Sequence, residues 1–90
     1  MASRTLIKGA QADCPTATGS ASTFGNATVV RLYNSTGTAR LVTVVEEQNG
    51  TVLGTFTMPG NTVEFVEKNA THCIFAADSS VKGSAAGFTN

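Results

Sequence analysis

A chain of 90 residues makes one domain and buries somewhat more than about 60% of its unfolded surface, enough for a single modest core. Its six basic and six acidic side chains cancel, which excludes the clustered basic face of a nucleic-acid binder. Charged residues make up only 13% of the chain while Ser and Thr fill 21 of its positions, so the surface is poorly defended against association and reads as one that other subunits partly cover.

The first eight residues predict a short strand around Thr5, Leu6 and Ile7. MASRTLIKGAQADC lacks the apolar run of a signal peptide, so synthesis in a cytosol is the expectation. No segment approaches the length of apolar chain that a membrane-spanning helix needs. Residues 9–25, GAQADCPTATGSASTFG, hold a single large apolar side chain, Phe24. Such a stretch cannot bury enough apolar area to fold alone. It is either a long loop or an arm lying across another surface. The chain therefore divides into an N-terminal arm, residues 1–25, and a body, residues 26–90.

From Asn26 onward the chain reads as short extended segments: TVVRLYN, TARLVTVVEEQ, TVLGTFTM, TVEFVE, HCIFAA and VKGSAAGF. Turn signals separate them about every ten residues. The pattern predicts an all-β fold, a small antiparallel β-sandwich, Ig-like or barrel-like, of about six to seven short strands with an extended N-terminal arm. In the first of these segments Val30 and Leu32 are expected inside, with Arg31 and Tyr33 outside.

Asn49-Gly50 is a strong hairpin signal, because a type I′ turn needs positive φ at both central residues. As a two-residue loop it pairs Leu41 with Met58, Thr43 with Phe56, Val45 with Gly54 and Glu47 with Val52. Leu41, Val45, Val52, Phe56 and Met58 then form the core face. Val42, Val44, Leu53, Thr55 and Thr57 form the second face, which is too apolar to be plainly solvent. That face is either ordinary strand composition or a contact surface for the arm or a neighbouring subunit. These five residues are the candidate assembly interface.

Pro59-Gly60-Asn61 supplies the next turn. Val63 and Phe65 are expected to do the inward work of the strand that follows. HCIFAA is too apolar to assign a face. VKGSAAGF is rich in Gly and Ala, which suggests a close backbone approach or a weakly specified edge. No helix of any length is signalled.

Residues that could carry chemistry do not assemble into a known arrangement. His72 and Cys73 are neighbours on a strand and point to opposite faces, so they do not make a nucleophile–base pair. Cys14, His72, Cys73 and Asp78 lack zinc-ligand spacing. Glu46 and Glu64 are read as solvated strand carboxylates rather than a glycosidase pair. No catalytic, cofactor or metal residue is predicted, and the chain is expected not to be an enzyme. Cys14 and Cys73 lie far apart and read as free thiols. Four asparagines, Asn26, Asn34, Asn49 and Asn69, sit in sequons. Turn composition explains them, since Asn, Gly, Ser and Thr all concentrate at turns.

One ordered set of strand and turn residues runs through the body. It comprises Val30-Arg31-Leu32-x-Asn34, Leu41-Val42-Thr43-Val44, Gly54-Thr55-x-Thr57-x-x-Gly60, Val63-x-Phe65-x-Glu67-Lys68, Ile74-Phe75-Ala76-Ala77 and the terminal Gly87-Phe88-Thr89-Asn90. This run, Asn26 to Asn90, resembles short all-β proteins encoded by tailed phages of marine bacteria, cyanophages especially. The resemblance implies a virion structural protein made in the host bacterial cytoplasm. It implies capsid decoration first, with a neck or tail component as the alternative. The partners it implies are a major capsid protein or other virion proteins, with many copies on a lattice or a homo-oligomer. A decoration protein needs no pocket, and weak contacts repeated over a lattice gain from multivalency. Strand addition through an arm or a sheet edge needs no special side chain. A small glycan- or surface-binding module is a further reading, and it expects Tyr33 or a Phe exposed beside polar residues.

Overall fold

Two antiparallel sheets pack face to face in the computed structural model, which describes residues 4–89. Residues 1–3, the start of the expected arm, and Asn90, the end of the phage-like run, lie outside the described residues. The larger sheet contains β1 (Arg4–Ile7), β2 (Ala12–Asp13), β3 (Val29–Asn34), β6 (Val63–Glu67) and β8 (Val81–Thr89). β8 pairs with β1 and β2 on one side and β3 on the other, and β3 pairs with β6. The smaller sheet has the order β5-β4-β7, from β4 (Arg40–Val45), β5 (Val52–Met58) and β7 (Cys73–Ala76). The fold is the small antiparallel sandwich expected. Its one strand without a counterpart in the sequence reading is β2.

Alternation builds the core. Val30 and Leu32 point inward from β3, and Val81 joins them from β8. Across from them lie Val42, Met58, Ile74 and Ala76 of the smaller sheet, with Cys14 from the N-terminal segment. All are buried, each large apolar chain contributing roughly 1.5–3 kcal/mol. Phe24, Val44, Phe56 and Val66 pack around them.

The hairpin between β4 and β5 differs from the expected register by one residue. Arg40 pairs with Met58, Val42 with Phe56 and Val44 with Gly54. Asn49 alone takes positive φ (59°), and the Gly50 N–H donates to the Glu47 carbonyl at 2.8 Å, so Asn49-Gly50 is not a type I′ loop. The loop is instead tethered from outside. Asn49 N–H donates to Thr18 O at 3.1 Å, and Gln48 Nε2 donates to Ala21 O at 3.0 Å. A bulge between Val44 and Val45 absorbs the mismatch. A one-residue slip exchanges faces. Val42 and Val44, expected outside, therefore face the core, and Leu41 is exposed.

Val63 and Phe65 also differ from expectation and face outward. Asn34 N–H donates to Thr62 O at 3.0 Å and Lys68 N–H to Thr28 O at 2.8 Å, bracketing a register that pairs Val30 with Val66 and Leu32 with Glu64.

Residues 9–25 lie along their own body. β2 pairs with β8, Ala76 N–H donates to Pro15 O at 2.9 Å, and Ser22 exchanges both backbone bonds with Ile74. Between these ties a single 3-10 turn, Thr18–Ser20, sits over the β4–β5 loop. Cys14 and Ala21 are buried by this course. The arm and the body, residues 1–25 and 26–90 of the sequence reading, are thus one packed unit over the part described.

Candidate assembly surface

The small sheet is closed on one side and open on the other. Its β7 edge is covered by Pro15 and Ser22, whose backbone groups take the outward bonds of Ala76 and Ile74. β5 forms the opposite edge, and among the described residues β4 is its only strand neighbour. The orientation of its backbone follows from the ladder. Ala77 N–H donates to Leu41 O at 2.8 Å, so the odd residues of β4 bond toward β7 and the even ones toward β5. Gly54, Phe56 and Met58 therefore bond to β4, and the N–H and C=O groups of Leu53, Thr55 and Thr57 point away from it.

The side chains on this edge are uncharged from Thr51 to Met58. Leu41 (46% exposed), Val52 (55%) and Leu53 (47%) are the large apolar groups here. Of the five residues expected to form an assembly face, Leu53, Thr55 and Thr57 lie exposed together on the outer side of β5. Val42 and Val44 are separated from them by the thickness of the sheet. Further along the same outer face, Val45, Cys73 and Ala21 form a small second cluster with Phe75, roofed by the N-terminal segment.

β6 is one edge of the larger sheet, on the same flank as β5. A seam of about 280 Å³ between the two edges is lined by Phe56, Glu64, Phe65 and Val66. Phe65, 41% exposed, shares the outer face of its sheet with Arg31, Tyr33 and Val63.

A second cleft, of about 440 Å³, lies between Lys8, Gly9, Ala85 and the turn 24–28. Phe24, Gly25 and Asn26 all take positive φ (52°, 72° and 57°), one left-handed turn closed by Ala27 N–H to Thr23 O at 3.3 Å. A bulky residue in that region is rare. Phe24 is held there by its ring, which packs on the core, and by the Lys68 ammonium, which donates to Ala27 O at 2.6 Å. Burial of Lys68 holds its pKa below the ordinary lysine value.

The chemistry-bearing residues are dispersed. Cys14 and Cys73 are free thiols in separate apolar clusters. Burial, reinforced by Asp13, pushes the Cys14 thiol up to about 12. The His72 ring approaches the Asn69 amide at 3.5 Å, while Cys73 Sγ contacts Thr71 O. Among the described residues no three of His, Cys, Asp and Glu converge as a metal-holding group. Nor, among those residues, is any helix long and apolar enough to cross a membrane. Of the sequon asparagines, Asn34 is fully buried, while Asn26 and Asn49 occupy left-handed turn positions.

Comparison with family models, with curated proteins and with solved structures finds no match for this chain.

Proposed function

We propose that this chain is a non-enzymatic virion structural protein that decorates a phage head, docking through the outer side of β5. The observation that carries the reading is the uncharged, open edge on which Leu53, Thr55 and Thr57 lie exposed beside Val52 and Leu41. Natural edge strands are usually guarded by charge, proline or a covering loop, and this one is unguarded along its length. An edge of that kind suits a protein covered by others in its working state. The resemblance of residues 26–90 to small all-β phage proteins supplies the setting. Because residues 9–25 are stitched to their own sheets, docking is assigned to the sheet surface, and the arm acts by completing that sheet.

The test is mass spectrometry of purified particles of the phage whose genome encodes the chain. Many copies per particle, lost from isolated tails but kept on heads, are expected. Absence from particles overturns the proposal. Retention on tails alone would make the chain a tail or neck component. Leu53→Lys and Thr57→Lys should lower occupancy on heads while leaving the circular dichroism of the free protein unchanged.

One observation favours a second reading, a glycan- or surface-binding module. Phe65 is exposed on one face with Tyr33 and Arg31, an aromatic platform beside a hydrogen-bond donor. A glycan array on which wild type and Phe65→Ala behave alike would remove it.

A further inference from the structure

We propose that two copies of this chain pair through β5, antiparallel and in a fixed register centred on Thr55, joining their small sheets into one six-stranded sheet. The inference stands apart from the virion reading, since a chain that never enters a particle would pair in the same way.

Three observations select this edge. The outward groups of Leu53, Thr55 and Thr57 are a donor–acceptor set spaced for an antiparallel partner. The other edges of the sandwich are covered, charged or short, β1 and β2 being only four and two residues long. β7 is covered by Pro15 and Ser22, and β6 carries Glu64 and Glu67. The sequence of β5 is also complementary to itself in one register.

That register follows from the strand. A continuous sheet requires opposed residues to share a face, and the bonding groups sit only on the odd residues. Centring the two-fold on Thr55 opposes Thr55 to Thr55 and Leu53 to Thr57 of the second copy, and it uses all three outward residues of each strand. On the inner face, Gly54 then meets Phe56 of the second copy. A Cβ built on Gly54 would touch nothing within 4 Å, so the space beside it is open, and Phe56 is half-buried at the lip of the seam. An aromatic ring across from an edge glycine fills such a gap. The outer row becomes Phe75-Thr43-Thr55 meeting its own copy, a run of threonines with no charge to oppose. Shifting the axis to Gly54 opposes two glycines, and shifting it to Phe56 opposes Leu53 to Pro59, which has no N–H to give.

Sedimentation velocity of the full chain over a concentration series tests the pairing. A monomer–dimer equilibrium is expected for wild type. Thr55→Lys places two ammonium groups opposite each other on the axis and should raise Kd at least about tenfold. Thr55→Pro removes only an outward N–H and should do the same, with unfolding midpoints of dilute protein showing that both variants fold. Cysteine cross-linking tests the register. Two Thr55→Cys chains place the new thiols on adjacent Cα atoms about 5.5 Å apart, within disulfide reach. Two Leu53→Cys chains place them about 14 Å apart along the strands, out of reach. The native thiols are buried and do not compete. A wild-type chain that stays monomeric throughout overturns the proposal. So does a dimer indifferent to Thr55→Lys, or one that cross-links through Leu53→Cys or Phe65→Cys and not through Thr55→Cys.

Discussion

Asn34 Nδ2 donates to the carbonyl oxygen of Met58 at 3.2 Å, a buried bond joining the last residue of β3 to the last residue of β5 across the sandwich. The same amide reaches Thr38 O at 2.8 Å and Pro59 O at 3.4 Å, while its Oδ1 accepts from Thr36 N at 3.1 Å and Thr36 Oγ1 at 2.9 Å. One side chain therefore satisfies the loop after β3 and the crossover from β5 to β6. The two segments touch beside it, where a Cβ on Gly60 would fall 2.4 Å from the Gly37 carbonyl carbon.

Removing that amide strips one bond from the buried Met58 carbonyl and from those of Thr38 and Pro59, and leaves the Thr36 N–H without its acceptor. Asn34→Ala should cost about 3 kcal/mol, a large share of the stability of a domain this size. Asn34→Asp is the sharper probe. Its carboxylate would face three carbonyl oxygens and would be driven toward the protonated form. A carboxyl whose folded pKa is raised stabilises below its unfolded value, about 4, and that stability is lost as pH rises. The urea midpoint of Asn34→Asp should fall from acid toward neutral pH, and that of Asn34→Ala should not share this slope.

Phe24 and Gly83 form a second exacting contact. A Cβ on Gly83 would lie 2.6 Å from Phe24 Cε1 and 3.2 Å from Leu32 Cδ2. The ring must move out or the strand must shift, and the left-handed turn at 24–26 leaves Phe24 little freedom. Gly83→Ala should destabilise by about 1–3 kcal/mol. Combining it with Phe24→Ala should recover part of that loss, a non-additivity measurable in a double-mutant cycle.

The register of the β4–β5 hairpin separates two residues that the expected register puts on one face. Val42 is fully buried and Leu53 is 47% exposed. Val42→Ala should cost about 2–3 kcal/mol, and Leu53→Ala less than about 0.5 kcal/mol. The register expected from a two-residue Asn49-Gly50 loop puts both residues on the second face and would make the two costs similar. Chemical denaturation of the two variants decides between them.

This hairpin marks where the sequence stops being legible. The strands themselves were readable, because β-branched and aromatic runs bounded by Asn, Gly and Pro announce their own ends. Val30 and Leu32 fall inside as alternation requires. The faces of β4 and β5 depend on Thr18 and Ala21, which hold Asn49 and Gln48 from 31 and 27 residues away in sequence, and no local pattern encodes that tie. The same holds for β2, whose Ala-Asp pair has no strand preference and is extended because Gly83 and Lys82 offer a backbone to pair with. That β5 is uncharged is plain from its sequence. That it is an open edge follows only from knowing that residues 15 and 22 close the other side.

Acid should weaken the turn before β8. The Ser80 backbone N–H donates to Asp78 Oδ1 at 2.9 Å, and Arg40 lies 3.7 Å from the other oxygen. Hydrogen bonding to Ser80 first, with the Arg40 and Lys82 charges behind it, holds the carboxyl below its ordinary value. A depressed carboxyl pKa contributes stability above the unfolded value, near about 4, and loses it as pH falls through the folded one. Asp78→Asn keeps an acceptor for Ser80 and loses the charge. Its melting temperature should therefore fall less than that of wild type between neutral pH and acid.

Thiol labelling reports on the packing of the N-terminal segment. Cys14 is buried in the main core, its thiol pushed up to about 12, so almost none of it is thiolate at neutral pH. Cys73 is buried under Ala21 and beside Phe75 on the other side of the small sheet. Neither should react with an aromatic disulfide reagent in the native chain, and both should react fully in denaturant. Ala21→Asp would put a charge into the roof over Cys73 and should speed labelling of that thiol. Cys14 should stay protected as long as β2 and Pro15 remain in place. Peptide mapping of the labelled chain separates the two sites. Rapid labelling of Cys14 in the wild-type chain would mean that residues 9–25 leave the body in solution.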